Sequence, residues 1–331
     1  MTVFPFYIIM TPGSTRYLKF AVWSLSRRTD MSLSLVSNGL EKKEVEDLHA
    51  FCKQIDAPLL QLPTNRVVRH GEALNMLLEQ HQQSWFCFCD ADIVSTTPTA
   101  NDIPFSSDLT ALSSCEAMFW DNKPTKGVLG RCNQWPDGSQ HLSSFFCIYE
   151  TQTLKTLQQK HQLGFENIHP EDIQSLPVRA LLKRKGVNFA ATTKLDTGKA
   201  LTAAMEVENF NYAHRVIPSL LHIGGLSSWI LNGDKRLVYS QYHLTDKELY
   251  TLAPKGSWLY NPKSELDEDL SSFLLRRQQR LAAARYCFQL ISHYVDGTSK
   301  PSYDLSDKNL VNALKVIEKA LQNYHHKEGW V

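Results

Sequence analysis

The chain has 331 residues, 43% of them hydrophobic, enough to bury one large core or a core with an appendage. Lysine and arginine number 35 against 34 acidic residues, so no global field draws the protein towards nucleic acid or an anionic membrane, and a charged ligand has to be held locally. The seven cysteines are odd in number, scattered and largely set in apolar runs, which reads as buried thiols in a reducing compartment rather than a disulfide framework or a zinc site.

The opening MTVFPFYIIM has no basic leader, is too short to cross a bilayer and runs into Thr11, Pro12 and Gly13, so it reads as a first strand. Arg16 to Arg28 carries Tyr17, Phe20, Ala21 and Leu25 at helical intervals, and MSLSLVSNG is a second strand closed by Asn38-Gly39. Helical spacing returns in Val45, Leu48, Phe51, Cys52 and Ile55; APLLQLP is a third strand and EALNMLLEQH a third helix. WFCFCDADI then reads as a strand apolar on both faces, as at the centre of a sheet covered on both sides. This alternation predicts a mostly parallel α/β sheet.

From about Thr96 to Gln140 the chain is rich in Asp, Asn, Ser, Gly and Pro and reads as long loops over a sheet edge. HLSSFFCIYE resumes as a strand, TLKTLQQKHQ as a helix, VRALLKRKG as a helix stopped by Gly186, and VNFAATTKL as another strand. Two amphipathic helices follow, one marked by Phe273, Leu274, Leu281, Ala284, Phe288 and Ile291, the other by Leu310, Leu314, Ile317 and Leu321. The division expected is a catalytic domain over 1–235 and a mainly helical extension over 236–331. No stretch reaches membrane-span length, so the expectation is a cytoplasmic protein without integral membrane contact and with no nucleic-acid partner.

Asp90 and Asp92 end the central strand one residue apart, at the carboxyl end where open α/β sheets bind ligands. Side by side, two carboxylates repel unless a cation sits between them, and Mg2+ or Mn2+, shared with the phosphates of a substrate, suits that donor chemistry. Standing alone, Asp-x-Asp reads more readily as a pair of solvated turn residues capping the next segment.

In order, however, these elements resemble the nucleotide-sugar-dependent glycosyltransferases of the GT-A fold, most closely inverting family 2, over roughly residues 4 to 230. The resemblance implies a Rossmann-like, mostly parallel mixed sheet flanked by helices, with a helical C-terminal appendage. It implies a donor such as a UDP- or GDP-sugar, approached by Thr11, Pro12, Asn38, Arg69, His70, Gly71, Asn75, Asp90 and Ala91. By the same resemblance Asp90, Asp92 and His222, the last in LLHIGGLSSW, hold Mn2+ or Mg2+. Asp172 in HPEDIQSLPVRALLKRKG takes the acceptor proton, with Glu171 beside it. The acceptor would be a sugar, a glycan or a small molecule.

This chain departs from the family in two places. VSNG places Asn38 where an acid is common, and Pro177, five residues after Asp172, would break the helix drawn through that region, leaving Asp121, Glu206 and Glu208 as competing bases. Trp120, Trp135, Tyr212 and Trp229 could stack a sugar, and Arg66, Arg69 and Arg215 could meet a phosphate. The basic runs RRQQR and HHK in the last two helices read as a helical cap, with a peripheral membrane contact or a homo-oligomer face as alternatives. Two other functions fit the carboxylates less well: a magnesium-dependent nucleotidyl- or phosphoryl-transfer enzyme, which lacks its glycine-rich loop here, and a catalytically silent sugar-binding module.

Overall fold

The structure, a computed structural model, describes residues 3–64, 66–97, 99–114, 133–190, 194–227 and 270–328. The first strands are β1 (Phe4–Met10), β2 (Met31–Ser37), β3 (Leu59–Gln61), β4 (Trp85–Cys89) and β5 (Ile93–Ser95). They are followed by β6 (Ala111–Ser114), β7 (Phe146–Glu150), β8 (Tyr212–His214) and β9 (Leu220–His222). Helices α1 (Thr15–Ser26), α2 (Lys42–Gln54) and α3 (His70–Gln80) link the early strands, and α4 (Thr151–His161), α5 (Leu176–Arg184) and α6 (Lys199–Val207) follow β7. Helices α7 (Leu270–Asp296) and α8 (Lys308–Glu328) close the chain.

Seven strands form one mixed sheet in the order β3-β2-β1-β4-β7-β6-β8, and β5 pairs with β9 in a separate ribbon. The left half, β3-β2-β1-β4, is parallel, as the βαβ alternation predicts; β7 runs antiparallel to both β4 and β6. Alternate residues sort onto two faces. Cys87 and Cys89 join the core beneath α1, α2, α7 and α8, while Phe86 and Phe88 join the core beneath α3, α4, α5 and α6. The five described cysteines are all buried.

The two C-terminal helices are continuous with the first of these cores: Tyr286, Leu290, Leu314 and Leu321 are buried in one cluster with Leu18, Phe20 and Ile8. Tyr324 packs edge-on against both Trp23 of α1 and Phe51 of α2. The junction expected near residue 235 falls outside the described residues, as do the arginine side chains of RRQQR. Among the described residues no helix is long and apolar enough to cross a membrane.

The segment after α5 corrects one expectation. Val187 to Ala190 is not a strand, and Leu195 makes only a single bridge, to Ile168. The apolar residues there finish α5 instead: Gly186 takes φ +81°, its N–H bonds Lys183 O at 3.1 Å, and Val187 N–H bonds Leu182 O at 3.0 Å. This paired pattern turns the chain off the helix end and buries Val187 against it. Helix α6 was not anticipated, because Lys199 through Met205 are buried all round and leave no one-sided stripe to read.

Candidate metal centre and nucleotide cleft

The central strand ends at Cys89, and Asp90 N–H bonds Phe145 O, at the entry to β7, at 2.8 Å. Asp90-Ala91-Asp92 is a tight turn, closed by Ile93 N–H on Asp90 O at 3.3 Å, that feeds directly into β5. Strand β5 pairs antiparallel with β9 in a register that sets Ile93 opposite His222, and Ile223 N–H bonds Asp92 O at 3.1 Å. A three-residue ribbon thus brings a histidine from late in the chain to the carboxylates.

His222 Nε2 lies 3.2 Å from Asp92 Oδ1 and 3.4 Å from Asp90 Oδ2. One ligand atom from each of the three residues falls within 4.8 Å of the others. Asp90 keeps 28% of its side-chain exposure and Asp92 only 5%, so Asp90 faces the cleft while Asp92 anchors the group from behind. Past β9, Gly224 and Gly225 take φ of +90° and +67°, a backbone course that disfavours any side chain, and this turns Leu226 N–H back onto Asp92 Oδ2 at 2.8 Å. The His222 ring packs on Phe145 with centroids 4.4 Å apart.

Electrostatics here are strongly coupled. Burial by itself would push the His222 imidazole down, but the charge of Asp92 and the hydrogen bonds to Asp90 and Asp92 raise it well above its usual range. Burial would likewise raise Asp92, yet His222 and the Leu226 N–H hold it below the ordinary carboxylate value. A protonated His222 therefore offsets the repulsion between the two acids when no metal is bound. Two carboxylate oxygens plus one imidazole nitrogen fit a divalent ion of the manganese kind, since oxygen donors suit Mg2+ and Mn2+ and imidazole suits transition metals.

The cluster opens onto a cleft of about 220 Å3 that Thr11, Asn38, Val68, His70, Asp90 and Gly225 help to line. Strand β1 sends its chain to β2 on one side and β4 lies on the other, so the cleft sits where the strand order reverses. Asn38 is buried and clamps the next segment, its Nδ2 donating to Val68 O and its Oδ1 accepting from Val68 N–H, both at 2.9 Å. This two-bond pair makes β2 and the approach to α3 one wall of the cleft, and it leaves one amide N–H of Asn38 for a ligand. His70 sets its ring edge-on to Phe88 at the start of α3.

Several expected contacts have other work. Asn75 Oδ1 accepts from Phe165 N–H at 2.9 Å and from Gln158 Nε2 at 3.1 Å, so it holds the loop after α4 rather than lining the cleft. Gly71 is required by packing: a Cβ there would come within 2.4 Å of Phe165 O. Pro12 and Arg69 flank the cleft in sequence without lining it, whereas Ala91 does line it. The amino end of α1 is occupied from within, since Glu44 Oε1 accepts from Gly13 N–H at 2.7 Å and from the Thr15 hydroxyl at 3.1 Å.

Glu171 and Asp172 sit exposed in a single 3-10 turn, Pro170–Asp172, and neither lines the cleft. Pro177 opens α5 as a separate helix rather than breaking one, because its missing N–H costs nothing in a first turn. Of the competing bases, Glu206 pairs with Lys185 at 2.5 Å and accepts from Tyr212 OH at 3.1 Å, and Glu208 pairs with Lys160 and His161. Both are committed away from the cleft. Asp121, Trp120 and Trp229 lie outside the described residues. Trp135 is buried against His141, Arg66 pairs with Glu72, and Arg215 donates to Pro104 O. Leu226 and Ser227 escaped sequence reading: a backbone donor leaves no residue-type signal, and only the preceding Gly-Gly hinted at it.

No protein-family model matches the chain, and no curated protein matches it. Among solved structures it is similar to the mannosyltransferase PcManGT from Pyrobaculum calidifontis in complex with GDP-Man and Mn2+, at 10% identity and a TM-score of 0.40, covering 98% of this chain and 76% of that one. It is also similar to S. aureus TarS, at 14% identity and a TM-score of 0.40, covering 98% of this chain and 55% of that one. A third similar structure is the glycosyltransferase GlyE of Streptococcus pneumoniae TIGR4, at 7% identity and a TM-score of 0.37, covering 92% of this chain and 66% of that one. The chain thus spans about half the length of TarS. At these scores the likeness carries no weight for the chemistry, which rests on the site itself.

Proposed function

We propose that the protein is a metal-dependent GT-A glycosyltransferase that moves a sugar from a nucleoside-diphosphate sugar to an acceptor hydroxyl with inversion. The observation that carries this reading is the Asp90, Asp92 and His222 cluster, its donor atoms within 4.8 Å, at the mouth of the switch-point cleft. A divalent ion held there, Mn2+ or Mg2+, would supply Lewis-acid stabilisation of the charge on the departing nucleoside diphosphate. Asp90 would meet the ion from the cleft side, while Asp92, fixed by Leu226 N–H, holds its geometry. His222 would have to lose its Nε2 proton to serve as the third ligand.

The Thr11 hydroxyl and the spare Asn38 amide N–H line the cleft and would donate to the nucleotide. A volume of about 220 Å3 suits one part of such a donor, and an ion held by the acids would draw its diphosphate there. Asp172 remains the base of this proposal: exposed and free to approach an acceptor, it would take the hydroxyl proton at a carboxylate oxygen as the oxygen attacks the anomeric carbon. The acceptor is a sugar, a glycan or a small molecule. The phosphoryl-transfer alternative is disfavoured, because the α1 amino end, where a phosphate loop would bind, is filled by the Glu44 carboxylate.

The test is thermal unfolding with UDP, GDP and their sugars, with and without Mn2+. The expected result is stabilisation by one nucleoside diphosphate that needs the metal and is lost in Asp92→Asn. Stabilisation by free sugars that ignores the metal would move the protein to the sugar-binding class, and no metal-dependent stabilisation by any nucleotide would overturn the proposal.

A further inference from the structure

A second cavity, of about 670 Å3, lies between the last turn of α1, the segment after β5 and one face of α8. It is separate from the metal cleft. Thr11 lines the cleft just before α1, the cavity takes Trp23 and Arg27 at the other end, and a 12-residue helix separates its ends by about 18 Å. The volume is in the range usual for small-ligand sites, about 300–1,000 Å3.

Three cations and no acid line this cavity. Arg27 is the residue that ends α1, and Lys319 and Lys327 stand on one face of α8, eight positions apart with Asn323 midway, so all three α8 residues point the same way. None of the three cations has a carboxylate partner among the described residues, whereas Lys300, on the approach to α8, is paired with Glu318 at 3.1 Å. Arg27 and Lys327 stand at helix carboxyl ends, where a cation also complements the dipole; Lys319 is in mid-helix, where the dipole accounts for nothing. The floor is apolar: Trp23, over whose ring the Arg27 guanidinium sits at 5.3 Å, together with Val316 and Ala320. Thr99 at the rim holds φ +61°, strained for a β-branched residue, and its N–H bonds Arg27 O at 3.1 Å, which fixes the carboxyl end of α1 against the rim.

We propose that this cavity binds a phosphate monoester carrying an apolar or polyol portion, held by Arg27, Lys319 and Lys327 over the Trp23 floor. Three cations lining one cavity match a doubly charged phosphate, and Arg27 can present a two-pronged donor to its oxygens. The same chemistry exists free in solution and in the headgroup of phosphatidic acid. The HHK run that closes α8 thereby has a use for its lysine, independent of the glycosyltransferase proposal.

The experiment runs in EDTA, so that nucleotide and metal at Asp90, Asp92 and His222 play no part. Glycerol 3-phosphate is titrated at constant ionic strength, with glycerol as the control, while thermal unfolding and tryptophan fluorescence are followed. In parallel, cosedimentation is measured with phosphatidylcholine vesicles with and without phosphatidic acid. Saturable stabilisation by glycerol 3-phosphate, about tenfold weaker in Lys319→Gln/Lys327→Gln, supports a soluble ligand. Retention on phosphatidic acid vesicles alone, weakened to the same degree in the double variant, assigns the site to the headgroup. Both lysines are exposed, so the variant should fold as the parent does. Ala320→Trp fills the cavity and leaves the cations in place; binding that survives it, binding equal in the parent and the lysine variant, or no binding in either arm overturns the proposal.

Discussion

His222 Nε2 stands 3.2 Å from Asp92 Oδ1 although 130 positions of chain separate the two residues. Both are nearly free of solvent, and each holds the other in its charged form. Replacing one of them therefore leaves a buried charge without its nearest opposite charge.

For Asp92→Asn the expected outcome is a metal-free protein that still folds, because the amide oxygen can keep the Leu226 N–H. Its stability in chemical denaturation should fall by about 1–3 kcal/mol, and the Mn2+-dependent rise in Tm should vanish. Asp92→Ala should be worse in the metal-free state, since it takes away the nearer of the two acids on His222 and orphans the Leu226 N–H. An undiminished Mn2+ response in Asp92→Asn would remove this residue from the metal set.

Asn38→Ala breaks both bonds to the Val68 backbone and leaves two buried polar groups unpaired. The expected loss is about 2–4 kcal/mol in urea unfolding. Asn38→Asp keeps the acceptor and loses the donor, so it should fall between the parent and Asn38→Ala in stability. A stability equal to the parent in both variants would show that the clamp is dispensable.

Gly71→Ala should destabilise by about 2 kcal/mol or more, because the new Cβ would press on the Phe165 backbone carbonyl, which has no rotamer with which to yield. The displaced α3 amino end carries His70, so nucleotide stabilisation should weaken with it. Scanning calorimetry with and without nucleotide measures both effects together.

Burial pushes the His214 imidazole down to about 4, whereas in the unfolded chain it titrates near 6.5. Between those values the unfolded state holds the extra proton, so the stability present above about pH 6.5 is lost as the pH falls towards 4. Burial lowers His81 as well, in the same direction. His214→Gln, which can keep the contact to Ser113 Oγ, should flatten this dependence by up to roughly 2–3 kcal/mol across the window. Denaturation midpoints at about pH 7.5 and pH 5 give the comparison; an unchanged slope in the variant would assign the acid sensitivity elsewhere.

Asp172→Asn tests the base directly. The side chain is exposed in its turn, so folding should be unaffected. Turnover should drop on the order of a hundredfold or more while metal-dependent donor binding holds. Unchanged turnover would leave Asp172 without a role.

Much of the left half of the sheet was legible in the residues. Strong period-two and helical patterns in Phe4–Gln80 map onto β1 to α3, and both C-terminal helices fall where their stripes place them. Short elements were not: β5, β6, β8 and β9 have three or four residues each, too few for a period to register. Asn75 and Gly71 looked like ligand contacts, and their polar or small character proved to serve Phe165 instead, a partner some ninety residues away that no local pattern reveals.

Read alone, the residues established an α/β sheet with two acids at the exit of its central strand, because burial periodicity and the abrupt polarity of Asp90 and Asp92 are local properties. Only the folded chain decided that His222 closes the third corner, that Asn38 joins two walls of the cleft and that α8 roofs a basic cavity. Those outcomes depend on strand register and helix docking. Both are settled by packing between segments far apart in the chain.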